Sequence, residues 1–435
     1  MFVFRGQRNE FALSRPVKGK HPTDKLVPFS LSNMTTHNTS FLPFLEYFRK
    51  IGIFPCQKIE DNEVKKSSLK PTNYKIQLLI YSFILLTLSG FCLFAHWTIL
   101  NSVECEDVFE VYKVAVAMQH SEYDYKVSLV LFVFPWIIHI ILIISLVSSK
   151  QDLCNVYNFL QEEAKNDIKA SLRVKHICNW HLTKLGLVPI LGWGLCIIGW
   201  SLNIIQHFQL PILTVLPYGI HFYMSFLWFL APLFAFHIYF LDISILLIPW
   251  TLSLREKLKI AGSHDVLLME SNKLLVTIEM ICKAISKTIF WLFTLVMVAI
   301  VFGTYITIAF FLNQDEFNLP VALNMLGLAG IVGFYLKLGH GYCNFSQDIN
   351  DSIHGIKKAL FDLDINPEQV LIMNDKSVRA KHLQKSIVSG LDEFRGFHGN
   401  NYFVLSKSLL TSISANFMTY LIILIQFKVS ESSQK

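Results

Sequence analysis

Charge is scarce in this sequence. Asp, Glu, Lys and Arg make up 16% of its 435 residues, where a soluble domain carries about 25%. The shortfall means that much of the surface does not face water. The eight cysteines (Cys56, Cys92, Cys105, Cys154, Cys178, Cys196, Cys282 and Cys343) form no CxxC pair and no Cys/His spacing that suits zinc. No HExxH, GxSxG, Walker A or dinucleotide fingerprint occurs, so an enzyme is not expected, and neither is a cofactor or a metal. His176 and His181 flank a basic stretch with no paired acidic base and read as surface histidines. Met1 to Asn73 is polar and basic without a leading apolar core, so no signal peptide is expected there. No internal repeat splits the chain into related halves, which counts against a transporter built on paired repeats.

What the chain has in abundance is apolar side chains, at 53% of residues with 36 Phe. They fall into runs of a telling length. A bilayer core of roughly 30 Å needs about 20 apolar residues in a helix, and inside lipid such a run must be helical to pair its own backbone groups. The runs are Ile76–Ile99, Val127–Val147, Leu185–Ile205, Tyr218–Trp250, Ile289–Leu312, Val321–Leu338 and Leu409–Phe427. The fourth is too long for one simple crossing and is expected to tilt or to continue beyond the bilayer as a helix. The sixth is short and carries Gly327, Gly330 and Gly333, which reads as close helix packing. The expected fold is an all-α, polytopic membrane protein with seven transmembrane helices.

Lys and Arg sort by crossing. Counted before the first run, through each connection, and from Gly339 to Asn401 ahead of the last run, they number 13, 2, 6, none, 6, none and 7. The net charge of +6 therefore reflects a positive-inside bias rather than a nucleic-acid surface, and no nucleic-acid partner is expected. The bias puts the N-terminus in the cytosol and, after seven crossings, the C-terminus outside. A G-protein-coupled receptor would run the other way. Its acidic-Arg-aromatic triplet after the third span and Asn-Pro-x-x-Tyr in the seventh are both missing. Four glycosylation sequons, at Asn33, Asn38, Asn344 and Asn350, fall on the expected inner face, where they stay unmodified. The expected organisation is a cytosolic segment over 1–75, six helices with their loops over 76–338, a cytosolic segment over 339–408, a seventh helix over 409–427 and a short outer tail over 428–435.

The last run is the most informative. It reads SISANFMTYLIILIQF from Ser412, and Ser412, Asn416, Thr419 and Gln426 follow heptad spacing, with Ile423 in the remaining position. Polar groups at bilayer depth need partners or water. Hydrogen bonds between helices of one bundle would supply partners. A pore wall shared by several subunits would supply water, with apolar rings at Ile423 or Phe427 able to close it by dewetting.

The tail Thr419-Tyr420-Leu421-Ile422-Ile423-Leu424-Ile425-Gln426-Phe427 resembles the signature of insect gustatory receptors: Thr-Tyr, five hydrophobic residues, then Gln-Phe. Seven spans, an inner N-terminus and a long inner segment before the last span agree with that family. The resemblance implies a tastant-gated, non-selective cation channel in the plasma membrane of chemosensory neurons, assembled as a homotetramer or a heterotetramer. It implies a central pore lined by the seventh helix, with Gln426 and Phe427 at the constriction, and an anchor formed by cytosolic helix ends. It also implies a small-molecule pocket in the outer half of each bundle. Outer-half residues that suit such a pocket are Trp200, Asn203, His221, Tyr223, Trp228, Tyr305 and Asn324, although membrane interfaces collect the same types. No acidic residue stands among the outer-half helical positions, and Leu421 follows the Thr-Tyr pair where many sugar receptors of the family carry an acid. Both features favour a bitter or other plant-derived tastant. A fructose-type receptor, an odorant receptor subunit and a seven-helix receptor or transporter of another class are the alternatives.

Overall fold

The computed structural model describes residues 47–61, 66–103, 111, 114–115, 122–163, 168–259, 264–313, 318–361 and 375–433. The elements are β1 (Cys56–Asp61), β2 (Lys66–Pro71), α1 (Tyr74–Val103), α2 (Glu122–Ser148), α3 (Lys150–Glu163), α4 (Ile168–Phe208), α5 (Ile212–Lys259), α6 (His264–Asn313), α7 (Leu319–Phe361), α8 (Asp375–Glu393), β3 (His398–Gly399), β4 (Phe403–Val404) and α9 (Lys407–Ser433). Among the described residues six helices are long and apolar enough to cross a bilayer, and α2 with α3, joined at a 61° bend and taken as one span, brings the number to seven. The chain is a multi-pass, seven-helix membrane protein.

Lipid exposure governs α1. Only 6% of its membrane window is buried, and its hydroxyls turn inward on their own helix. Thr87, Ser89, Thr98 and Ser102 each donate to the carbonyl four residues earlier, at 2.8–2.9 Å. In hydrocarbon this is the available way to satisfy a polar side chain that reaches no neighbour. The long apolar run of α5 behaves in the opposite way: 76% of its window is buried, and it forms the centre of the bundle.

Several helices run well past the bilayer. The sixth apolar run ends at Leu338, but α7 continues unbroken to Phe361. Its extension keeps an inward face, with Tyr342, Cys343, Ser346, Ile349, Ile353, Ile356 and Leu360 buried at steps of one to four residues. That is the helical period, carried into a segment of mixed charge. The stretch around Asp348 is thus the end of a spanning helix rather than a separate one. Helix α8 packs on this extension, where Gln384 donates to the Leu360 carbonyl at 2.5 Å and Lys357 pairs with Asp392.

Two short antiparallel pairs add to the helices. β1 and β2 form a hairpin ahead of α1, and Asn158 of α3 holds its edge: Leu69 N–H donates to Asn158 Oδ1 at 2.7 Å, and Asn158 Nδ2 donates to the Leu69 carbonyl at 2.8 Å. Burial of Cys56 against Cys154 pushes its thiol well above the usual range, so it stays protonated and unreactive. The second pair, β3 with β4, lies within residues 396–404 ahead of α9. Gly396 takes φ +119° and Asn400 and Asn401 take φ +47° and +63°, so the chain reverses through left-handed positions that Gly and Asn tolerate. The backbone N–H of Phe397 donates to Ser346 Oγ at 3.2 Å, fixing this hairpin to α7.

Candidate functional site

Two features stand out as candidate sites: a cavity inside the bundle and the free face of α9. The cavity has an empty volume of about 650 Å³, counted with its open mouth. Trp136 of α2, Trp193 of α4 and four α5 residues (Phe222, Ser225, Phe226 and Phe229) form one side. Ala299 and Gly303 of α6 and Leu328, Ile331, Val332 and Tyr335 of α7 form the other. On α5 and α7 these positions lie about 14–26 Å along the helix from its first residue, so the cavity sits at bilayer depth.

Close helix packing shapes its walls. Helices α4 and α7 share the most extensive interface in the bundle because glycines let their backbones meet. A Cβ on Gly192 would stand 3.0 Å from the Gly327 carbonyl, and one on Gly327 would stand 2.5 Å from Cys196 Sγ. Rigid aromatic contacts fix the lining. Trp193 stacks on Phe226 at 4.4 Å and 21°, and its Nε1–H donates to the Phe222 carbonyl at 3.2 Å. Polar groups are few. Ser225 Oγ lies 3.4 Å from His221 Nδ1. Tyr335 is 3% exposed, and its hydroxyl has no hydrogen-bond partner among the described residues. Such a chamber suits a mostly apolar molecule carrying one or two hydrogen-bonding groups.

The pocket residues expected from the sequence sit beside this lining rather than in it. Trp200 meets Trp193 edge-on at 5.1 Å and Phe222 at 5.7 Å. His221 backs Ser225. Tyr223 lies against Gly194. Asn203 donates to the Ala115 carbonyl at 3.0 Å. Tyr305 is buried in the cluster that includes Trp200 and Phe222. Asn324 presses its Oδ1 against Gly199, where a Cβ would stand 2.5 Å away. Trp228 turns to the other side of α5 and stacks on Tyr81 of α1. The lining itself is mostly apolar and aromatic, so only Ser225 and Tyr335 carried a polar signal that a search of the sequence could have followed.

Helix α9 joins the rest of the protomer along a narrow seam. Leu409, Leu410 and Ile413 pack on one buried cluster, and Leu421 and Ile425 on another, but only 7% of the membrane window is buried. Ser412, Asn416, Thr419, Ile423, Gln426 and Phe427 are all exposed. At 100° per residue, Ser412, Asn416, Thr419, Ile423 and Gln426 lie about 140–180° around the helix from Leu421. The polar stripe therefore points directly away from the protomer. Thr419 bonds its own helix at the Ala415 carbonyl, 3.2 Å away. The Asn416 and Gln426 amides have no partner among the described residues. Tyr420 of the Thr-Tyr pair is 58% exposed.

No family model and no curated protein matches the sequence. The fold does match solved structures. The insect olfactory receptor OR5 from Machilis hrabei, in complex with eugenol, aligns over 88% of this chain and 97% of that one, with a TM-score of 0.59 and 14% identity. A second structure of the same receptor aligns over 89% and 98%, with a TM-score of 0.58 and 14% identity. The chain has the fold of this insect olfactory receptor.

Proposed function

We propose that this protein is a gustatory receptor: one subunit of a tetrameric, tastant-gated, non-selective cation channel in the plasma membrane of chemosensory neurons. The observation that carries the reading is the polar stripe on α9. An amide left unsatisfied in hydrocarbon costs several kcal/mol, on the order of 4–8 against an alkane reference. Asn416 and Gln426 lie opposite the seam that joins α9 to its own protomer, so their partners are water and other copies of the helix. Four such helices around an axis give a pore with neutral rings at Ser412, Asn416, Thr419 and Gln426, and apolar rings at Ile423 and Phe427 that close it. Homotetramers and mixed tetramers satisfy the stripe equally.

The bundle cavity is then the tastant pocket. Its aromatic walls, with Ser225 and the free Tyr335 hydroxyl as the chief polar points, favour bitter or other apolar plant-derived molecules over a sugar, whose many hydroxyls would go unpaired there. That the fold neighbours are olfactory receptors supports an odorant receptor subunit as the second reading. The Thr419-Tyr420 and Gln426-Phe427 pairs favour the gustatory one.

Whole-cell recording from cells expressing this chain, screened with bitter compounds and sugars, tests the proposal. The expected result is a bitter-evoked cation current whose relative permeabilities change in Gln426→Ala. Tyr335→Phe should raise the half-activating concentration by roughly 5–30-fold, the value of one lost hydrogen bond. A sugar-evoked current would reverse the ligand assignment. Permeation unchanged in Gln426→Ala would remove this helix from the pore.

A further inference from the structure

On the far side of α5 from the cavity, three side chains from three helices meet. Tyr81 of α1 stacks on His139 of α2 at 6.0 Å and on Trp228 of α5 at 5.6 Å, and His139 and Trp228 lie 6.0 Å apart. His139 is fully buried and Trp228 is 8% exposed. Yet Tyr81 Oη, His139 Nε2 and Trp228 Nε1 are all cut off from solvent with no hydrogen-bond partner among the described residues. Gln77, one turn before Tyr81 on the same face of α1, adds a fourth such atom, its Nε2. Native proteins leave few buried polar atoms unpaired, and a cluster of them in one seam points to something that pairs them. Thr87, Ser89, Thr98 and Ser102 of α1 underline the contrast, because they bond their own backbone, which the rigid Tyr81 ring cannot reach.

The chemistry of the missing partner can be read from the donors. His139 Nδ1 lies 3.2 Å from the Phe229 carbonyl, which only accepts, so Nδ1 carries the proton and Nε2 of the neutral ring is an acceptor. The Trp228 indole only donates, and the Tyr81 hydroxyl does either. A group that accepts from Trp228 and Tyr81 and donates to His139 is a hydroxyl oxygen. We propose that Tyr81, His139 and Trp228 form a binding site for one hydroxyl oxygen in the seam between α1, α2 and α5. Its source is an ordered water, which needs little more than one probe sphere of space and two to four partners, or the hydroxyl of a membrane sterol reaching in beside lipid-exposed α1. The site adjoins the cavity wall, since His139 holds the carbonyl of Phe229 and the Phe229 ring lines the cavity.

The test reads stability, so it stands apart from the channel proposal. Full-length wild type and Tyr81→Phe are purified into phosphatidylcholine nanodiscs with and without cholesterol, and their melting temperatures are compared. Tyr81→Phe removes only the oxygen and leaves the ring packing. A downward shift of about 1–2 °C in both lipids identifies bound water. A downward shift confined to the cholesterol discs identifies the sterol hydroxyl. An unchanged or higher melting temperature in both lipids overturns the site, because deleting a truly orphaned buried hydroxyl relieves the protein. Cryo-electron microscopy of the wild type in the same discs gives a second readout. Density within hydrogen-bond distance of the three polar atoms is expected, and its absence at a resolution that shows neighbouring waters overturns the proposal.

Discussion

Asn158 shows how much one side chain can fix. Its amide offers a donor and an acceptor in the geometry of a strand edge, and Leu69 N–H and C=O take both. Cys56 and Leu69 are the hairpin's buried apolar side chains among the described ones, and an isolated two-stranded hairpin is marginal at best in water. Asn158→Ala should therefore free residues 66–71, at a loss of about 1–3 kcal/mol for the two unmade bonds. Hydrogen exchange of the Leu69 amide checks this, and protection equal to wild type would show that burial alone holds the hairpin. At this scale the sequence was partly legible. Asn416 and Gln426 stand out because polar residues are conspicuous in an apolar run. Asn158 does not, because an Asn on an amphipathic helix reads as surface, and β1 and β2 lack the apolar alternation that marks a half-buried strand.

Whole helices follow the same logic. The seven crossings were readable because lipid requires about 20 apolar residues for each. Their extensions were harder to see, since α6 and α7 leave the bilayer without a break and a hydropathy run stops at its edge. The inward period of α7 from Tyr342 to Leu360 was nevertheless present in the residues. The cavity was not legible, because a Phe that lines a void and a Phe that fills one are the same letter. What sets the void is how closely α4 and α7 approach, and Gly327 controls that. An Ala there drives its Cβ against the Gly192 carbonyl and Cys196 Sγ, whereas Gly333 faces open space. Gly327→Ala should cost about 1–3 kcal/mol through forced separation of the two helices and should lower the melting temperature of the purified receptor. Gly333→Ala should be neutral or slightly stabilising. Equal melting temperatures for the two variants would mean that the crossing has slack.

For the molecule as a whole, the side of the membrane decides what each site can meet. An odd number of crossings puts the two termini on opposite sides, and the basic residues choose which is which. The connections on the lysine-poor side carry two basic residues in all, against many on the other, an asymmetry that predicts an inner N-terminus. With the N-terminus inside, the start of α5, the end of α6 and the start of α7 all reach the outer surface. The cavity is then approached from the outer medium, as a taste stimulus requires. In that orientation hairpin β3–β4 and helix α8 would face the cytosol at the foot of α9, the position from which they would hold the pore helices of the proposed channel together. The expected result is that an N-terminal epitope on intact cells stains only after permeabilisation, while a C-terminal epitope stains without it. The opposite pattern would turn the cavity toward the cytosol. The polar stripe would still line a pore, but its ligand would then be an intracellular molecule rather than a tastant.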